Sequence, residues 1–174
     1  MDQAAERVNV PSILLRVLGV LFALMALVGM FWQCLNPVIQ ILSAALQAGT
    51  APDEDAMMAA IMAGIFGSTL SIVMAVVQIV IGFVGLIAGI VSFIAGGRLA
   101  EFRSRSMVQA GAVLIAVQPV IWLLTSCCTS SCGICGFFVW IPFSVLGIVT
   151  AVMTFGALGD PDVDAAFAKN DNEV

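Results

Sequence analysis

The chain has 174 residues, of which 61% are hydrophobic and 10% charged, with no His, no Tyr and a formal net charge of −5. A soluble domain is about half apolar and a quarter charged, so this composition cannot cover a globular surface and describes an integral membrane protein. The acidic balance excludes the basic field that nucleic-acid binding needs. Without His, the usual general base and the commonest metal ligand are absent.

A helix crossing a bilayer core of about 30 Å needs roughly 20 mostly apolar residues. The first such stretch runs from about residue 13 to 35, with one charge, Arg16, near its start. Its leading segment is acidic as well as basic and its apolar run is long for a signal peptide, so it reads as an uncleaved first span. Asn36 to Gln47 follows, with apolar residues at three- and four-residue spacing and Gln40, Ser43 and Gln47 on the other side. That pattern fits an interfacial helix or an extension of the first span.

No charge separates Asp55 from Arg98, and a helix of that length would be about 60 Å long. Residues 72–84 hold no Pro, no Asn and no turn cluster, so two spans with a tight turn are disfavoured. One helix is predicted instead. It begins near Pro52 at the first helical position, with Asp53, Glu54 and Asp55 on the positive end of its dipole, and it spans about 69–96. Residues 37–67 then form an outer helical hairpin, with Met57, Met58, Ile61, Met62, Ile65 and Phe66 as its apolar face.

The third and fourth spans cover about 107–126 and 136–158, with a kink at Pro119 and with Pro142 in the first turns of the fourth. In the tail, 159–174, Asp160 is a natural N-cap and Pro161 a first helical residue. Val163, Ala166 and Phe167 share one face of the short helix this starts. The expected fold is therefore all-α: one membrane domain, a four-transmembrane-helix bundle with the outer hairpin between spans 1 and 2.

The few cations orient this topology. Arg7, Arg16, Arg98, Arg103, Arg105 and Lys169 all fall on one side if four spans leave both ends inside. Trp32, Trp122 and Trp140 fall at the opposite ends of their spans, as interfacial anchors do. Both termini are expected to be cytoplasmic, in a bacterial inner membrane.

This places Cys34, Cys127, Cys128, Cys132 and Cys135 on the outer side, where disulfides are permitted. Four cysteines in one loop allow three pairings, and the fifth leaves a thiol over. A structural disulfide clip is the simplest reading. Cys132-Gly133-Ile134-Cys135 is also a C-x-x-C at a helix start, where the dipole lowers a thiol pKa. A four-helix membrane bundle carrying it at the outer end of span four resembles the vitamin K epoxide reductase type of disulfide-generating enzyme. Those enzymes imply a relay cysteine pair in another outer segment, and here Cys34 stands alone. A zinc cage is a third reading, strained by four thiols within nine residues. The C-x3-C-x2-C spacing of Cys128, Cys132 and Cys135 matches radical SAM enzymes by chance, since there is no room for their barrel. No metal and no cofactor are assigned.

Intramembrane ionisable groups usually mark transport paths, and apart from Arg16, which can snorkel to the interface, the spans have none. Gln78 and Gln118 are the intramembrane polar residues, read as interhelical hydrogen-bonding groups. Small residues at four-residue spacing mark packing faces: Gly19 and Ala23, Gly85 and Gly89, Gly147 and Ala151. With the lipid bilayer itself, a second copy or a partner membrane subunit at these glycine faces is the expected partner.

From Gly97 to Phe167 the chain resembles a group of small bacterial four-helix membrane proteins with no assigned activity. The resemblance lies in Gly97, Arg98, Arg103 and Arg105 of the inner loop, Gly111 to Ala116 ahead of Pro119, and the Cys-rich outer turn. Ile141-Pro142-Phe143 and Asp160-Pro161-Asp162-Val163 with Ala166-Phe167 complete it, while Val145-Leu146-Gly147 stands where an aromatic often follows the Pro. The resemblance implies the topology. For function the sequence leaves three readings: a non-enzymatic scaffold or accessory subunit, a thiol–disulfide oxidoreductase using Cys132 and Cys135, and a small-molecule transporter.

Overall fold

The computed structural model describes residues 2–128 and 133–171, with side chains from 4 to 125 and from 140 to 170. These residues form five α-helices and no strand: α1 Asp2–Gly49, α2 Glu54–Ala100, α3 Arg105–Cys128, α4 Gly133–Leu158 and α5 Pro161–Asp171. The first four are long and apolar enough to cross a membrane. The fold is all-α, as the sequence predicts.

Residues 36–47 extend α1. The helix is continuous over 48 residues, about 72 Å, and passes through both Pro11 and Pro37. Each Pro lacks the N–H that would bond the carbonyl four residues earlier. α2 is likewise one helix of 47 residues. Its start differs from expectation: Pro52 lies outside the helix, and Asp53 is the N-cap. The Ala56 N–H donates to Asp53 Oδ1 at 2.7 Å and the Met57 N–H to the Asp53 carbonyl at 3.0 Å. A carboxylate that accepts a free N–H of the first turn outcompetes a Pro that satisfies none. Pro142 also differs, because α4 begins at Gly133 and places it ten residues in.

The chain divides into two compact units, Met1–Ala23 with Gly85–Val174, and Leu24–Val84. In the first, the start of α1, the end of α2, α3 and α4 form a ring of four helices. α1 meets α2 where Gly19 faces Gly89, α2 meets α3 where Ser92 Oγ donates to the Gly111 carbonyl at 3.1 Å, and α3 meets α4 where Ile115 faces Gly147. Phe22 and Phe143 close the ring edge-to-face, with centroids 5.9 Å apart. The core holds Ala4, Val8, Leu15, Leu18, Phe22, Leu99, Val108, Ile115, Ala157, Leu158, Val163 and Phe167. α5 belongs to that core through Val163 and Phe167. Its N-cap is Asp160, whose Oδ1 accepts the Asp162 N–H at 3.0 Å, with Pro161 as first helical residue.

The second unit is an antiparallel hairpin of α1 and α2. Met30 lies against Gly82, Gln33 against Gln78 and Ala44 against Gly64. Thr50 closes the turn, its Oγ1 donating to the Leu46 carbonyl at 3.1 Å. Its buried residues are Ala26, Ala75, Gln78 and Gly82.

Candidate functional site

The glycines selected by spacing are packing sites within the chain. A Cβ on Gly19 would lie 2.7 Å from the Gly89 carbonyl oxygen and from the Phe93 nitrogen. A Cβ on Gly89 would lie 2.7 Å from the Gly19 oxygen and 3.0 Å from Ala23 Cβ. Real Cβ atoms do not approach backbone this closely, so the absent side chains set the α1–α2 distance. Gly85 is buried as well. Gly147 faces the Ile115 carbonyl oxygen, which Pro119 leaves without its helical donor. A proline on α3 and a glycine on α4 thus form one device: the freed carbonyl needs space and receives it. Ala151, 7% exposed, lies one turn further along α4.

Of the intramembrane polar residues, Gln78 is buried and its Oε1 accepts a hydrogen bond from Gln33 Nε2. Gln33 is the partner that sequence reasoning passed over, although it is a lone amide in an apolar run, as Gln78 is. Gln118 is 8% exposed, and its Oε1 has no hydrogen-bond partner among the described residues. Thr150 and Thr154, fully buried on α4, donate to carbonyls four residues back, at 2.8 and 2.7 Å. These polar groups are satisfied within their own helix and form no relay.

Trp122 and Trp140 stack with centroids 5.3 Å apart and 14° between planes. Trp140 continues to Phe143 at 6.1 Å, so an aromatic run links α3, α4 and α1. Trp32 on α1 is 57% exposed.

Cys34 is exposed and has no disulfide partner among the described residues. The side chains of Cys127, Cys128, Cys132 and Cys135, with the disulfide and redox readings that depend on them, lie outside the described residues. Among the described residues no group of His, Cys, Asp or Glu could hold a metal ion.

The densest polar constellation lies where α5 meets the bundle. Arg7 Nη1 pairs with Asp160 Oδ2, joining residues 153 apart in sequence. Arg105 Nη1 pairs with Asp164 Oδ1, and its Nη2 donates to the Leu158 carbonyl at 3.0 Å. Asn170 Nδ2 donates to the Glu101 carbonyl at 2.9 Å. Beneath these ties, Phe102 meets Phe167 edge-to-face at 5.8 Å and 80°. Phe102 has a φ of 53°, the left-handed region that costs a non-glycine residue about 1–2 kcal/mol. It occupies the place glycine usually takes in a Schellman cap. The Arg103 N–H donates to the Arg98 carbonyl at 2.9 Å and the Phe102 N–H to the Leu99 carbonyl at 3.2 Å. Burial of the ring against Phe167 holds the strained backbone in place. The alternating Asp160, Asp162 and Asp164, in a chain with Arg7 and Arg105 among its few cations, are the signal for these ion pairs, though not for their partners.

The chain matches no protein-family model, no curated protein and no solved structure. The geometry alone therefore carries the functional reading: four long apolar helices, a few buried polar side chains bonded within or between neighbouring helices, and a tail helix fastened to the four-helix unit.

Proposed function

We propose that this is a non-enzymatic membrane scaffold or accessory subunit that works by presenting apolar helix surface to a second membrane subunit or a second copy. The observation that carries this reading is a mismatch of lengths. On α1 the exposed large apolar residues run from Val10 to Leu46, and on α2 from Met57 to Ile94. Each run is about 55 Å long at 1.5 Å per residue. A bilayer core of about 30 Å, even at the largest usual tilt of about 40°, covers about 39 Å of helix. About 15 Å of apolar surface on each helix is left to meet something other than lipid tails. The glycine contacts are used inside the chain, so the free surface is one of large apolar side chains: Leu42 and Leu46 on α1, Met58, Ile65 and Phe66 on α2, all more than half exposed. The grouping of all six Lys and Arg on one side supports cytoplasmic termini, and the resemblance of residues 97–167 supports a bacterial inner membrane.

Photo-crosslinking in native membranes tests this. A benzophenone amino acid at Leu42 or Phe66 is expected to give an adduct of one defined mass. The same probe at Val152 on α4, whose length matches the bilayer, is expected to label lipid. The Leu42 adduct should survive the combined Cys132→Ser and Cys135→Ser changes. A mixed disulfide trapped by Cys135→Ser but not by Cys132→Ser would replace the scaffold reading with thiol–disulfide chemistry.

A further inference from the structure

Arg16 is the only charge between Ile13 and Leu35, and α2 makes a lane for it. A Cβ on Gly96 would lie 2.8 Å from Arg16 Cγ, and one on Gly97 would lie 3.6 Å from Arg16 Nη2. The aliphatic stem therefore crosses α2 over Gly96, and the guanidinium lies beside Gly97. Because α2 runs antiparallel to α1, this direction leads back toward the end of α1 that carries Arg7. The side chain snorkels along two glycines.

Its surroundings differ from those of the other arginines near this end. Arg7 and Arg105 are held by Asp160 and Asp164, whereas Arg16 has no carboxylate partner among the described residues. Ile13 and Val20, one turn to either side of it on α1, are 52% and 45% exposed; Ile90 and Phe93, on the Gly97 side of α2, are 48% and 47% exposed. An uncompensated guanidinium thus sits at the head of an exposed apolar strip running along the α1–α2 seam.

We propose that this is a phospholipid site: Arg16 donates two N–H groups to phosphate oxygens of an anionic phospholipid, whose acyl chains lie along Ile13, Val20, Ile90 and Phe93. The planar guanidinium fork matches two phosphate oxygens, and the glycine pair leaves room for the approach. Anionic lipid is favoured locally: Arg16 has no carboxylate partner among the described residues, so the lipid phosphate supplies its counter-charge. The site rests on α1 and α2 spanning a membrane and is independent of the scaffold reading.

The test uses the full chain in detergent, with native mass spectrometry counting retained phosphatidylglycerol and phosphatidylcholine. Wild-type protein should retain phosphatidylglycerol preferentially. Arg16→Gln should weaken retention about fivefold, the factor equivalent to the ~1 kcal/mol typical of one arginine at an anionic surface. Gly97→Val, which keeps the charge and fills the lane, should do the same, while Arg103→Gln should change retention by less than twofold. Circular dichroism of each variant separates this loss from misfolding. Excess inorganic phosphate distinguishes the source: no displacement assigns the site to lipid, and displacement abolished by Arg16→Gln assigns the same phosphate contact to a soluble ligand. Wild-type retention in both Arg16→Gln and Gly97→Val overturns the proposal. Lipid retention and photo-crosslinking are separate readouts, so either reading can fail alone.

Discussion

Residues 24–84 and the remainder of the chain use the same small and aliphatic residues in different ways. In the four-helix unit, three glycines meet backbone: Gly19 faces the Gly89 oxygen, Gly96 the Ser12 oxygen and Gly147 the Ile115 oxygen, while Gly111 meets Ala95 Cβ and Gly97 the Arg16 side chain. In the hairpin, glycine meets side chains: Gly64 faces Ala44 Cβ, Gly82 the flexible Met30 side chain, and Gly49 nothing within 4 Å. Backbone against backbone fixes a helix spacing, because neither side can move without moving a helix. Backbone against a methionine does not. The buried hydrophobic cluster belongs wholly to the four-helix unit, whereas the hairpin buries little more than Ala26, Ala75, Gln78 and Gly82. One unit is specified by its interior; the other keeps its apolar surface outward.

The sharpest way to break this contrast is to add one methyl group on each side of it. Gly89→Ala and Gly147→Ala force carbon against backbone and should each destabilise by about 1–3 kcal/mol, read from tryptophan-detected thermal unfolding in detergent. Gly82→Ala should lie within about 0.5 kcal/mol of wild type, since Met30 can move and alanine favours the helix. Equal losses in all three would erase the distinction. A smaller effect is expected at Phe102. Phe102→Ala loses the ring contact and keeps the left-handed strain, whereas Phe102→Gly loses the ring and relieves the strain, so glycine should be the more stable by about 1 kcal/mol. Alanine at or above glycine would show that the cap is not strained. The smallest effect is in the hairpin: Gln78→Leu removes the acceptor for Gln33 and should cost about 0.6 kcal/mol, the average for such bonds between membrane helices. Adding Gln33→Leu should recover it, because the orphaned amide is removed as well.

What the residues alone reveal follows how local each cause is. The absence of Pro, Asn and a turn cluster over 72–84 makes α2 one helix, and the Asp160-Pro161 pair starts α5; both are effects of neighbours and both are legible. The apolar face of Val163 and Phe167 is legible for the same reason. The continuity of α1 through Pro37 is not, because that proline permits a break and packing against α2 decides against it. Pro52 and Asp53 compete for one helix start, and the contest turns on a single hydrogen bond. Phe102 as a cap is illegible: local preference calls for glycine, and the compensating contact comes from Phe167, 65 residues on. Arg7 with Asp160 is a pairing across 153 residues. A composition so poor in charge shows that such residues matter while leaving their partners open.

The core cluster that joins Ala4 and Val8 to Val163 and Phe167 also sets an order of events. The hairpin can close once residue 84 has emerged, since its partners, such as Gln33 and Gln78, are 45 residues apart. The start of α1 must wait for nearly the whole chain before its buried face finds cover. Loop closure over such a distance adds only a modest entropic penalty, about 0.6 kcal/mol for each doubling of length. The consequence is one of timing: until α5 has been made, the first residues of the protein carry an uncovered apolar face. Shortening the tail would therefore expose the opposite terminus, and proteolytic sensitivity would surface there first.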